Sequence, residues 1–245
     1  MFVHKVATDL SSRLCLPCYS LNSETQKAEL IRGRSWKFSI EKSDRPACFG
    51  PIRAGAAEPI FPSSLDEYNI ILHLRDPRDA LVSLFFSHTY SHTRTPGRFN
   101  PSESERRGWE EGGVDAFVLQ WLPEYCRRYQ SLVSHLLDRD NVTYLRYEDM
   151  IGNLEEWLGS FLSAFHHLNI PQRRALFRKH PQTWEEMRSC LLQKFRNEFK
   201  IPKENVYRHK RQMLPGDYRR KLKPETIQKL SESLGPLLVR LGYES

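Results

Sequence analysis

Short apolar runs alternate along this chain with helix-length amphipathic stretches, and that alternation predicts an α/β fold with a parallel sheet covered by helices on both faces. Residues 2–4, 36–40, 47–52, 69–74 and 142–146 read as strands. A helix from Asp115 carries Leu122, Tyr125, Tyr129, Leu132 and Leu136 at spacings of three and four, so one of its faces is apolar core. Residues 154–162 follow the same pattern. Pro224 opens a last helix that turns Ile227, Leu230, Leu234 and Leu241 inward, with a kink expected at Gly235-Pro236. At 245 residues, 39% of them hydrophobic and 11% aromatic, the chain can bury one sizeable core, and no linker divides it. A single domain over 1–245 is expected. Residues 93–113 differ, because Pro96, Gly97, Pro101, Gly108, Gly112 and Gly113 stand among charges with only Phe99 and Trp109 as large anchors. They read as a long mobile loop or lid.

The junction Asn69-Ile-Ile-Leu-His-Leu74 into Arg75-Asp-Pro-Arg-Asp-Ala-Leu-Val-Ser83 carries the chemistry. Arg75 supplies a planar, permanently charged fork, and Pro77 sits near a helix start, where its missing N–H costs little. Free backbone donors and the positive end of the helix dipole point to the same place, and Ser83 adds a hydroxyl two turns in. That combination predicts a phosphate site; a plain strand-to-helix connection with solvated charges is the alternative.

Two further segments fit a nucleotide-binding domain. At the amino terminus a strand ending at His4 leads into Lys5-Val-Ala-Thr8, where Lys5 and Thr8, with Val6 and Ala7 between them, grip a phosphate. Near the carboxyl end, residues 207–221 form a cationic loop whose Pro215-Gly216 turn lets backbone approach a ligand closely.

Taken together these segments resemble the sulfotransferases that use 3′-phosphoadenosine 5′-phosphosulfate. That family has a lysine-bearing phosphate loop, typically Pro-Lys-Ser-Gly-Thr-Thr-Trp, after its first strand. It has a later Arg-Asn/Asp-Pro/Ala-Arg/Lys-Asp…Ser segment that holds the 3′-phosphate. A Tyr-Glu-Asp-Met strand end lies beside the adenine, and an Arg-Lys-Gly-x-x-Gly-Asp-Trp loop closes over the nucleotide. Here the second is Arg75 to Ser83 with the same spacing of eight, the third is Tyr147-Glu-Asp-Met150, and the fourth is Arg211-Gln-Met-Leu-Pro-Gly-Asp-Tyr218. The resemblance implies a P-loop-like parallel sheet. It also implies transfer of a sulfuryl group from the nucleotide donor to a hydroxyl or amine of a small-molecule acceptor. Lys5 then stabilises the leaving group, Arg75, Ser83 and Arg211 fix the 3′-phosphate, and Tyr147 sits beside the adenine.

Several positions depart from the family pattern. Asp9 and Leu10 replace the second loop threonine and the adenine-stacking tryptophan, and an aspartate there repels a phosphate unless it turns away or meets a cation. Met213 replaces a glycine and Tyr218 a tryptophan. Arg53 falls near the histidine that serves as catalytic base in cytosolic members. The base is then His88, whose ordinary pKa of ~6.5 suits proton transfer at neutral pH, or Glu24, which some lumenal relatives match in distance from the phosphate loop. A third reading is that neither acts.

A net charge of +7 and a pI near 9.2 favour an anionic partner. A doubly phosphorylated nucleotide satisfies that, and the basic carboxyl-terminal loop lacks the stacking motifs of an RNA-binding sheet, so no nucleic acid is expected. Five cysteines without framework spacing argue for a reducing compartment, and Cys15-Leu-Pro-Cys18 ends an amphipathic stretch rather than opening a helix, which favours a structural role. His88 and His92 have metal-ligand spacing but no evident third ligand, so no metal is expected. No apolar run approaches the ~20 residues that span a bilayer and no signal peptide is evident, which predicts a cytoplasmic protein without membrane contact. Asn141-Val-Thr143 is a glycosylation sequon in strand-like surroundings. Two rival functions remain. A P-loop kinase needs glycines that the stretch from His4 to Thr8 lacks, whereas a degenerate, non-catalytic sulfotransferase-like module that holds nucleotide or a partner fits Asp9 and Arg53.

Overall fold

The computed structural model describes residues 2–14, 16–19, 47–50, 65–91, 101–166, 183–199 and 214–243. The chain divides into two compact units. One comprises Met1–Ile71, Arg139–Thr143 and Leu158–Phe195; the other comprises Leu72–Asp138, Tyr144–Trp157 and Arg196–Ser245.

In the first unit, residues 2–13 form a single helix, α1 (Phe2–Arg13), instead of the strand and phosphate loop expected there. The physical reason is periodicity. Val6, Leu10 and Leu14 recur every four residues and are 0%, 0% and 2% exposed. Burying each contributes about 1.5–3 kcal/mol, more than the few tenths that separate helix from strand propensity in so short a run. Phe2 packs edge-on against Phe195 at 5.3 Å, at the end of α6 (Trp184–Phe195). Two short parallel strands, β1 (Cys18–Tyr19) and β2 (Cys48–Phe49), pair Cys18 with Cys48 and Tyr19 with Phe49, and the Tyr19 and Phe49 rings stack at 5.4 Å. Asn141 closes a turn, because its side-chain amide donates to the carbonyls of Leu65 (2.6 Å) and Tyr68 (2.7 Å) while its carbonyl accepts from Ile70 N–H (2.9 Å). The sequon asparagine is thus a structural clasp, with both amide hydrogens engaged.

The second unit is built around α2 (Pro77–Phe86), α3 (Glu103–Leu132) and α8 (Pro224–Arg240). Leu81, Val82, Phe85, Phe117, Val118, Leu230, Leu234 and Leu238 form its buried core. Strands β3 (Ile70–Leu74) and β4 (Val142–Arg146) are hydrogen-bonded neighbours, and each leads directly into a helix, β3 into α2 and β4 into α4 (Tyr147–Gly152). The chain then enters α5 (Leu154–His166); α7 (Asp217–Lys221) precedes α8.

One expectation is met in part and another is corrected here. The described strands form two two-stranded sheets in a helix-rich α/β arrangement, and the broad sheet covered on both faces is not formed among them; candidate strand 36–40 lies outside the described residues. The loop expected over 93–113 is helical from Glu103, where Ser102 and Glu105 make a reciprocal capping box (3.2 and 2.7 Å), and Gly113 turns the chain at φ 75°. The α8 helix continues through Gly235 and Pro236. No described helix is long and apolar enough to cross a membrane.

Candidate active site

Arg75 ends up held on three sides within the second unit. Its Nη2 donates to Asp79 Oδ2 at 3.2 Å, its guanidinium lies 4.7 Å from the centre of the Tyr147 ring, and its carbonyl accepts from the Tyr129 hydroxyl at 3.0 Å. Burial works against its charge, but Asp79, Tyr147 and Glu148 together outweigh that and raise the guanidinium's pKa. Its buried Nε has no hydrogen-bond partner among the described residues. A buried, charged donor left open in this way suits an anion.

Asp79, fully buried, organises the surroundings of Arg75. Besides the guanidinium it accepts from the backbone N–H of Gly216 (2.8 Å) and of Tyr218 (2.9 Å), fixing the Pro215-Gly216 turn and the first turn of α7. Gly216 adopts φ 76°, a left-handed conformation that glycine reaches without strain. Ser83 follows Asp79 by four residues on α2, so Asp79 and Ser83 share one helical face, and Arg75 stands one turn before them.

The start of α2 is not an open anion cradle, and this corrects the expectation of free backbone donors there. Asp76 caps it, with Oδ1 accepting from Arg78 N–H at 2.9 Å. The same carboxylate pairs with the buried Arg78 guanidinium at 2.8 Å, which in turn lies 4.4 Å from the Tyr218 ring centre. Glu148 completes the frame, accepting from Asp76 N–H (3.1 Å) and from the Tyr243 hydroxyl (2.6 Å); burial raises its pKa. An anion arriving here would therefore meet the Arg75 side chain rather than the helix end.

Of the residues expected at the site, Arg75 and Tyr147 meet in this frame, which Asp79 ties to the Gly216 turn, while Ser83 stands one turn after Asp79 on α2. Tyr147 opens α4 immediately after β4, and burial raises its pKa, an effect that Arg75 opposes. His88 lies in a π-helical turn, Ser87–Ser91, that continues α2, and its ring is 5.8, 6.1 and 5.7 Å from the rings of Trp109, Phe117 and Trp121. Lys5, Val6, Ala7 and Thr8 lie within α1 instead of in a loop. The N–H groups of Val6, Ala7 and Thr8 fall past the first turn and belong to the helical ladder, so they form no phosphate cradle. Asp9 meets two cations, Arg13 at 2.7 Å and Lys194. Burial raises its pKa, but these bonds prevail and hold its carboxyl below the ordinary range. Leu10 is core. Glu24, Arg53, His92, Arg211 and Met213 lie outside the described residues. No cluster of three or more potential metal ligands occurs among the described residues.

Sequence reasoning missed Asp79, Tyr129, Glu148 and Tyr243. Only Asp79 left a readable sign, an acid four residues after Arg75 inside an otherwise apolar helix.

A search among curated proteins finds no match. The sulfotransferase domain model matches residues 58–242, about three quarters of the chain, and that span includes Arg75, Asp79, Ser83, Tyr147 and Gly216 but not α1. The frame around Arg75 and this match converge on one conclusion: the chain belongs to the sulfotransferase family and is a transferase by descent.

Proposed function

We propose that the protein transfers a sulfuryl group from 3′-phosphoadenosine 5′-phosphosulfate to a hydroxyl or amine of a small-molecule acceptor. The observation that carries this reading is the convergence on Asp79 of Arg75 and the Gly216 turn, which leaves a buried, open Nε on Arg75. Arg75, Ser83 and Arg211 would fix the 3′-phosphate, and Tyr147 would lie beside the adenine. The nucleotide supplies the sulfuryl group; the chain supplies positioning and positive charge. Lys5 enters only as a side-chain cation, since its neighbours' backbone donors are engaged in α1. His88, ringed by aromatic side chains, is the candidate base, with Glu24 as its alternative.

One observation favours a second reading, a non-catalytic nucleotide-binding module: residues 2–13 form a helix where the family has its phosphate loop. Incubating the protein with donor and a panel of phenols, alcohols and amines, with mass spectrometry of the products, separates the two. Acceptor-dependent appearance of 3′-phosphoadenosine 5′-phosphate and a sulfated product is expected. Saturable nucleotide binding with no product across the panel would instead establish the module.

A further inference from the structure

Cys18 and Cys48 stand opposite one another as register partners on the parallel strands β1 and β2. Neighbouring strands lie ~4.7–4.9 Å apart, within the ~4.4–6.8 Å between Cα atoms that a disulfide spans. The two thiols are close enough to shift one another's ionisation. The Thr8 hydroxyl lies 3.8 Å from Cys18 Sγ, and the buried Ser11 hydroxyl, one helical turn on, has no hydrogen-bond partner among the described residues. Inert core thiols need no such array of donors. Both cysteines retain partial solvent access.

The pair is chemically asymmetric. The neighbouring Cys48 thiol, whose effect outweighs burial, and the Thr8 hydroxyl bring the Cys18 thiol down to about 6, while Cys18 and burial push Cys48 up. Cys18, the sulfur that Thr8 contacts, is the more readily ionised of the two. Such a division suits an attacking and a resolving thiol. The sequence reading gives Cys15-Leu-Pro-Cys18 a structural role; strand register sets Cys48 opposite Cys18.

We infer that Cys18 and Cys48 form a thiol–disulfide exchange site, in which Cys18 attacks a low-molecular-weight disulfide such as oxidised glutathione and Cys48 resolves the adduct. In the first step the Cys18 thiolate forms a bond to one sulfur of the reagent, the reagent's S–S bond breaks, and one thiolate leaves. In the second, Cys48 gives its proton to that thiolate and attacks Cys18 Sγ. The protein disulfide forms, and the second glutathione thiolate departs and takes a proton from water. The reagent is reduced by two electrons and the two cysteines are oxidised by two.

The test is non-reducing peptide mass spectrometry of the full chain after exposure to oxidised glutathione. The expected product is a Cys18–Cys48 cross-linked peptide, and in Cys48→Ser the reaction stops at one glutathionyl group on Cys18. A Cys15–Cys18 bridge, or glutathionylation of Cys48 in Cys18→Ser at the rate seen for Cys18 in Cys48→Ser, would overturn the assignment. Alkylation of the untreated protein gives a check without substitution. Cys18 should react about tenfold or more faster than Cys126, whose thiol burial raises, at pH 7; equal rates would overturn the proposal. No readout involves the nucleotide, so the outcome is separate from that of the sulfuryl-transfer reading.

Discussion

Asp79 shows what a single residue contributes to this site. Its carboxylate neutralises Arg75 and at the same time anchors Gly216 and Tyr218, 137 and 139 residues further along the chain. Replacing it removes both functions and leaves a buried guanidinium without its counter-charge, which typically costs about 3–5 kcal/mol. Arg75→Ala removes the ion pair and the contact with the Tyr147 ring and leaves Asp79 with its two backbone donors. Asp79→Ala should therefore lower unfolding free energy by about 3 kcal/mol in urea titrations and also weaken nucleotide binding. Arg75→Ala should unfold within about 1 kcal/mol of the parent while losing about 1.5–3 kcal/mol of affinity for a 3′-phosphorylated nucleotide by calorimetry. The reverse ranking would contradict the division of roles drawn here. Arg75, Tyr147 and Gly216 were legible in the sequence because each carries a local signature, a charged fork, an aromatic ring after a strand and a turn glycine. Asp79 showed only its place four residues after Arg75, since its partners come from a distant turn that no local pattern reveals.

Elements with a clean apolar run were legible almost to the residue: strand 142–146 is β4, and 69–74 contains β3. Residues 2–4 were not, because a run of that length fits strand and helix alike and the deciding residues, Val6, Leu10 and Leu14, lie beyond it. In 103–113 charge density concealed the capping box of Ser102 and Glu105, which is enough to start a helix. Strand β3 also carries a testable pH dependence. His73 lies edge-on to Tyr147 (6.3 Å) and Trp157 (5.5 Å), and burial lowers its pKa to about 4. A folded-state pKa below the unfolded value of ~6.5 means that protonation favours the unfolded chain. Its contribution is complete above pH ~6.5 and is lost as pH falls through about 4, amounting to about 3 kcal/mol. Urea titrations between pH 7 and 4 should show His73→Phe losing about that much less stability than the parent; parallel pH profiles would contradict the burial argument.

For the molecule as a whole, the excess of seven positive charges agreed with an anionic partner without identifying one. What narrows the partner is the frame around Arg75 inside the matched span 58–242, whereas α1 lies outside that span and departs from a phosphate loop. The central claim is that this frame recognises a nucleotide bearing a 3′-phosphate. The direct measurement is the melting temperature of the protein and of Arg75→Ala with 3′-phosphoadenosine 5′-phosphate or ATP. At a hundredfold excess over Kd a ligand adds about 2.7 kcal/mol, which in a chain of this size raises Tm by roughly 5–10 °C. That rise is expected for 3′-phosphoadenosine 5′-phosphate with the parent, much less with ATP, and little for either nucleotide with Arg75→Ala. Equal shifts with the two nucleotides, or a full shift retained in Arg75→Ala, would contradict the account.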